Sequence, residues 1–214
     1  MSKPLADFYD HLLPELPGCT TELLDHHLRS VAREFCHRTS AWRLPFDDVD
    51  TAAGVATYDL IPSESESDVV RLTKLTVNGT LLWRDADENR PGEDTTTPAY
   101  KRESPPFSVS VDNLQIMLAA DEIPSAAVAA GLKVVGALKP SASARRLPDF
   151  LLSEAIEAIR AGVLSRLMLM SKKPWTDREL AVFYQGKWNQ ELNFWACQTQ
   201  RGNTRQILRV KSWG

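Results

Sequence analysis

Apolar residues recur every three or four positions near both ends of the chain and at every second position in the stretch between. In TTELLDHHLRSVAREFCHRTSAW, Leu24, Leu28, Val31 and Phe35 follow at intervals of four, three and four, which predicts a helix over about 20–40. Thr20 or Thr21 can cap it by accepting a hydrogen bond from a free backbone N–H of the first turn. Upstream, PLADFYDHLLPELPG holds a short helix ended by Pro14 and Pro17.

From Trp42 the pattern is that of strands. VATYDLI and VVRLTKLTVNGTLLW are rich in β-branched residues, and Asn78-Gly79 splits the second into a hairpin with a type I′ turn. FSVSVDNLQIMLA alternates Phe107, Val109, Val111 and then Leu114, Ile116, Leu118, with a turn at Asp112-Asn113. GLKVVGALKP is a final strand, and RDADENRPGEDTTTP is a polar, turn-rich loop. The segment from about 52 to 139 therefore reads as mainly antiparallel.

Helical spacing returns in LPDFLLSEAIEAIRAGVLSRLMLM. Leu152, Ile156, Ile159, Val163, Leu167 and Met170 predict one helix over 149–171. Gly162 inside it costs about 1 kcal/mol against alanine, so it marks close packing with a neighbour. Next, Thr176-Asp177-Arg178-Glu179 reads as a capping box, with Trp175 packed on Leu180 as a hydrophobic staple. Leu180, Tyr184, Trp188, Leu192 and Trp195 form the apolar face of a helix over 177–200, and Gly202 follows it as a terminator. Leu28, Phe35, Ile156, Ile159, Val163, Leu180 and Leu192 are expected in one core.

The fold class that follows is α+β: a helical bundle of an N-terminal helix and a C-terminal helix pair, with an inserted, mainly antiparallel β-domain and an extended tail. The expected divisions are 1–44 and 146–202 for the two parts of the body, 45–145 for the insert and 203–214 for the tail.

A formal net charge of −3 argues against a chain that wraps nucleic acid by charge alone. Cys19, Cys36 and Cys197 are widely spaced and odd in number, which points to a reducing compartment rather than a disulfide framework. No apolar run approaches the roughly 20 residues that span a bilayer, and the N-terminal stretch lacks a secretory h-region, so no membrane partner is expected.

The candidate chemistry is thin. His26 and His27 are about 100° apart on their helix and do not converge on one ion, and Cys36-His37 has the same fault. Asp85, Asp87 and Asn89 stand at calcium-loop spacing. However, Arg90 occupies the glycine position and Thr96 the position of the bidentate glutamate, so a polar loop is the better reading. The acids of FDDVD need a cleft before they can act as an acid–base pair. No phosphate-binding glycine loop, dinucleotide fingerprint or nucleophile elbow occurs, and no cofactor, metal site or catalytic residue is assigned.

The C-terminal segment RGNTRQILRVKSWG has a distinct composition. It has no acidic residue, carries Arg201, Arg205, Arg209 and Lys211, and offers Ile207, Leu208, Val210 and Trp213 without enough apolar mass for a core of its own. Such a segment suits docking on an acidic partner.

The order of elements, with RTSAWRL, ATYDL, VVRLTKLTVNG, PAY, LKVVGALKPS and the long LPDFLLSEAIEAIRAGVLSRLMLMSKKPW, resembles the head–tail adaptor (connector) proteins of tailed bacteriophages, especially the podophage tail tubular protein A-like adaptors. The likeness covers nearly the whole chain and rests on element order and loose signatures rather than a catalytic motif. It implies a structural virion protein at the head–tail junction, assembled as a ring of typically twelve copies beneath the portal. The ring would extend a channel through which double-stranded DNA passes without sequence-specific binding, and would offer a platform for the tail or nozzle protein. The segment with Arg201, Arg205, Ile207, Leu208, Arg209, Lys211 and Trp213 would dock on the portal. The loop with Asp85, Asp87, Glu88, Asn89 and Arg90 would face the tail or nozzle. The competing readings are a protein-binding module that forms no ring and, from another class, a thiol- or metal-dependent hydrolase.

Overall fold

The computed structural model describes residues 2–82, 107–110 and 114–200. The chain divides into two units, one of 1–42, 66–68 and 139–214 and the other of 43–65 and 69–138. The described residues contain both helices and antiparallel strands, so the class is α+β.

The first unit is helical. Strand β1 (Ser2–Pro4) pairs antiparallel with β10 (Arg146–Pro148), and the Arg146 guanidinium donates to the Ser2 carbonyl at 2.6 Å. Two 3-10 helices, Leu5–His11 and Leu13–Glu15, occupy the stretch expected to hold a short helix, and they deliver Leu5, Phe8, Leu12 and Leu16 to the core. Helix α1 (Thr21–Thr39) buries all four residues of its expected stripe. Thr20 has the extended backbone of a cap, yet its hydroxyl makes no cap bond, which corrects the expected role of that side chain.

The expected helix over 149–171 is broken into α2 (Phe150–Ser153) and α3 (Ile156–Leu167). The break lies at Glu154 and Ala155, where the Ala155 amide reaches back five residues to the Phe150 carbonyl at 3.0 Å. Leu151, Ala155, Ala158 and Ile159 are the buried positions around it, while Leu152 and Ile156 are only half-buried. The wide turn shifts the buried face by one residue, so Ile156 departs from expectation.

Helix α4 (Arg178–Gln200) also starts differently from the capping box. Asp177 Oδ1 accepts from the Leu180 amide at 3.0 Å, so Asp177 is the capping residue. Thr176 is engaged elsewhere: its hydroxyl donates to the Met170 carbonyl at 2.5 Å and accepts from the Lys173 amide at 3.0 Å. Trp175 is buried beneath the Lys173 ammonium, 5.8 Å from its ring centre, whereas Leu180 is 44% exposed. The expected burial of Leu180 is therefore corrected.

Helices α1, α3 and α4 share one core, and all three meet at Gly162. A Cβ there would lie 2.7 Å from Val31 Cγ1 and 2.9 Å from Trp188 Cε3. That is the close packing the glycine signalled.

The second unit is built of strands. A five-stranded sheet contains β2 (Arg43–Pro45), β3 (Val49–Thr51), β5 (Ser67–Val77), β6 (Thr80–Leu82) and β9 (Val128–Pro140); its order is β2-β9-β5-β6, with β3 also on β9. Strands β4 (Thr57–Asp59), β7 (Phe107–Ser110) and β8 (Gln115–Leu118) form a three-stranded sheet in the order β4-β8-β7. Val77 pairs with Thr80 across Asn78 and Gly79, whose φ of 47° and 85° are those of a type I′ turn. The expected turn at Asp112-Asn113 lies outside the described residues. Gly136 lets the Phe46 ring sit against β9, since a Cβ there would fall 2.6 Å from the ring edge.

Candidate interaction surface

Helix α4 has more apolar residues than one buried face can hold. Ala181, Val182, Phe183 and Tyr184 are consecutive, and four successive residues sweep about 300° around a helix axis. Ala181 and Tyr184, with Trp188 and Leu192, point into the core. Val182 is left 70% exposed and Phe183 62%. Phe194, at 61%, stands eleven residues after Phe183, which is about 16 Å along the axis and about 20° around it. Leu180, half-exposed, extends the same side. Each exposed ring leans edge-on against a ring of its own helix, Phe183 on Tyr184 at 5.4 Å and Phe194 on Trp195 at 6.3 Å. That aromatic stripe is the candidate site.

The inner side of α4 holds the stripe in place. Tyr184 donates to Glu15 Oε2 at 2.6 Å, and Arg160 pairs with the other oxygen of Glu15 while lying 5.8 Å from the centre of the Tyr184 ring. Burial, and then the bond to Glu15, pushes the Tyr184 hydroxyl pKa up. Lys187 bonds Glu157 at 2.5 Å, and that bond holds the Glu157 carboxyl below its ordinary value. Trp188 and Trp195 both pack near Phe35 of α1, at 6.1 and 5.7 Å between ring centres. A helix so fixed offers its outer rings on a rigid support.

The ligand-type residues are accounted for by structure. His26 and His27 touch edge to face, and burial, with His26 and Arg166 nearby, lowers the pKa of His27. Cys36 is fully buried, and burial pushes its thiol well above the ordinary range. Among the FDDVD acids, Asp50 accepts from the Ala130 amide at 2.7 Å and Asp48 lies 3.6 Å from Lys133. Among the described residues, no group of three histidines, cysteines or carboxylates is placed to hold a metal ion. No described helix is long and apolar enough to cross a membrane.

The docking segment with Arg201, Arg205, Ile207, Leu208, Arg209, Lys211 and Trp213, and the loop with Asp85, Asp87, Glu88, Asn89 and Arg90, lie outside the described residues. The single apolar face Leu180, Tyr184, Trp188, Leu192 and Trp195 does not include Val182, Phe183 or Phe194. The sequence signal for these residues is the runs AVFY and NFW, which are too wide for that face. A comparison of the chain with models of known protein families finds no match, and no curated protein matches it.

Proposed function

We propose that the chain is a structural adaptor of a tailed-bacteriophage virion, one copy in a ring beneath the portal that continues the DNA channel and carries the tail or nozzle. What carries the reading is the uncovered aromatic stripe of α4 running directly into the basic and apolar segment 201–214. Grouped exposed apolar side chains mark surfaces meant for a partner. A ring needs one face of each copy to fit a different face of the next, and a rigid helix can supply one of the two. The element order that carries the resemblance agrees with this role. So does the net charge of −3, because a channel lining that neutralised many phosphates would hold the DNA it must release. In this role Arg205 and Arg209 pair with portal carboxylates, and Ile207, Leu208 and Trp213 fill apolar pockets.

Particle images of the purified protein with and without its portal test the ring directly, and closed rings on the portal axis are expected. Deleting 203–214 is expected to leave the unfolding midpoint nearly unchanged and to abolish or greatly weaken portal attachment. Charge reversal at Arg205 and Arg209 should weaken attachment more at low salt than at high salt. A tail-deleted chain that joins portal-bearing particles at full affinity refutes the gripping role. The same stripe also suits a binding module that forms no ring, and a partner complex with one copy of this chain would favour that reading.

A further inference from the structure

We propose that copies of this chain associate head to tail, with the joint between α3 and α4 of one copy seated on the turn between β3 and β4 of the next. The proposal rests on the chemistry of these two surfaces and not on the adaptor reading, although it supplies the two unlike faces that a ring requires.

The joint is apolar and basic. Leu169 is more than half exposed and Leu180 nearly half, and exposed Phe183 stands one turn beyond Leu180 on the surface of α4. Hydrogen bonds bring the two leucines to one place. The Asp177 amide donates to the Met168 carbonyl at 3.1 Å, and Asp177 Oδ1 accepts from the Leu180 amide. Lys172 is held at a φ of 59°, a left-handed conformation that persists in a lysine only where the surroundings fix the backbone. Lys172, Lys173 and Arg178 are exposed here, and among the described residues no carboxylate forms an ion pair with any of the three. Of the acids on the joint, Asp177 is engaged in capping α4, which leaves Glu179.

The turn is apolar and acidic. It lies between Thr51, paired with Val128, and Thr57, paired with Met117, and the Gly54 amide ties it to the Pro124 carbonyl at 2.9 Å. Val55, Met117 and Val128 are exposed around it. Residues 44–65 carry Asp47, Asp48, Asp50, Asp59 and Glu64 but no lysine or arginine. Asp50 and Asp59 each accept from a neutral donor, the Ala130 amide and the Gln115 side chain, and so keep their charge at this surface. The two surfaces therefore match twice over: each would remove the other's apolar side chains from water, and unlike charges would meet around them. Joint against joint would set cations on cations, and turn against turn carboxylates on carboxylates. A two-fold contact of either kind is disfavoured, and the head-to-tail contact is the one in which both charge sets are matched.

The test is sedimentation velocity of the full-length chain over a range of protein concentrations, with one variant for each surface. Leu180→Gln/Phe183→Gln removes the apolar side chains of the joint, and Val55→Gln/Val128→Gln those of the turn. All four positions are exposed, so both variants keep their fold, which circular dichroism checks. The native chain should sediment faster as its concentration rises, and each variant alone should associate at least about tenfold more weakly. Mixed one to one, the two variants should form pairs, because the intact joint of one meets the intact turn of the other. Lys172→Glu/Arg178→Glu acts through charge, and its loss of association should be greater at low salt than at high salt. A native chain that stays monomeric at every concentration overturns the proposal. So does association that survives either apolar variant, or a mixture that forms no pairs, which is the result expected of a two-fold contact. Neither portal nor tail enters the experiment, so its failure leaves portal attachment to its own test.

Discussion

Replacing Gly162 with alanine sets two effects of opposite sign against each other. In a helix interior the change is worth about 1 kcal/mol of stability, because alanine loses less backbone freedom on folding. At Gly162 the added methyl would stand 2.7 Å from Val31 Cγ1 and 2.9 and 3.1 Å from two carbons of the Trp188 ring. Neither neighbour can step aside cheaply. Val31 is β-branched, stiff in a helix and fully buried, and Trp188 is 2% exposed. Overpacking of this kind costs about 1–3 kcal/mol, so the net expectation is a loss of about 0–2 kcal/mol. For a chain of this length that is a fall of up to roughly 8 °C in melting temperature. Gly186 supplies the control. It lies in α4 with nothing within 4 Å of a Cβ, so Gly186→Ala should stabilise by about 0.5–1 kcal/mol. Urea unfolding followed by far-ultraviolet circular dichroism and tryptophan fluorescence measures both. If Gly162→Ala stabilises as much as Gly186→Ala, the close approach of α1, α3 and α4 is wrong.

Other substitutions probe the same unit. Ile159→Ala, at a fully buried site, should cost about 2–5 kcal/mol in urea unfolding, and a loss below about 1 kcal/mol would remove Ile159 from the core. Asp177→Ala should cost about 1 kcal/mol and speed amide exchange at Leu180, whereas a capping box at Thr176 would leave that amide unaffected. Burial, helped by its 2.6 Å bond to Asp25, pushes the Tyr9 hydroxyl up from 10.0 to about 12. The folded state therefore holds a proton that the unfolded chain gives up first. The stability so gained is complete below pH 10 and is lost as pH rises towards 12, and Tyr9→Phe should flatten that loss in thermal melts taken across the window.

Much of the fold could be read in the sequence where a local signal needed no help from distant residues. The stripe of α1 and the Asn78-Gly79 turn are of that kind, since one fixes a face and the other a backbone shape. Gly162 was legible as a packing site, but not the identity of the neighbours, Val31 and Trp188, which come from other helices. The break at Glu154 and Ala155 left no mark, because no proline or glycine stands there and the apolar spacing runs straight through. It arises from tertiary packing, with Leu151 in the core and Phe150 6.3 Å from the Trp195 ring, ring centre to ring centre. The start of α4 misled for a related reason. Thr176 has the right spacing for a cap, but its hydroxyl is taken by Met170 and Lys173, and Asp177 caps instead. The aromatic stripe was hidden by its own chemistry, since phenylalanine on a helix reads as core until the core is seen to be full.

The helical unit joins the two ends of the sequence, and that has a consequence for how the protein is made. Leu24, Leu28, Val31 and Phe35 emerge from the ribosome early, but much of the core they join comes from α3 and α4, up to Leu192. At the usual pace of about 5–20 residues per second, the stretch between Phe35 and Leu192 takes roughly 8–30 s to synthesise. Through that interval the strand-rich segment 43–138 is completed while the apolar face of α1 waits in water, within reach of chaperones and of other nascent chains. The first long helix to be translated is among the last to be covered.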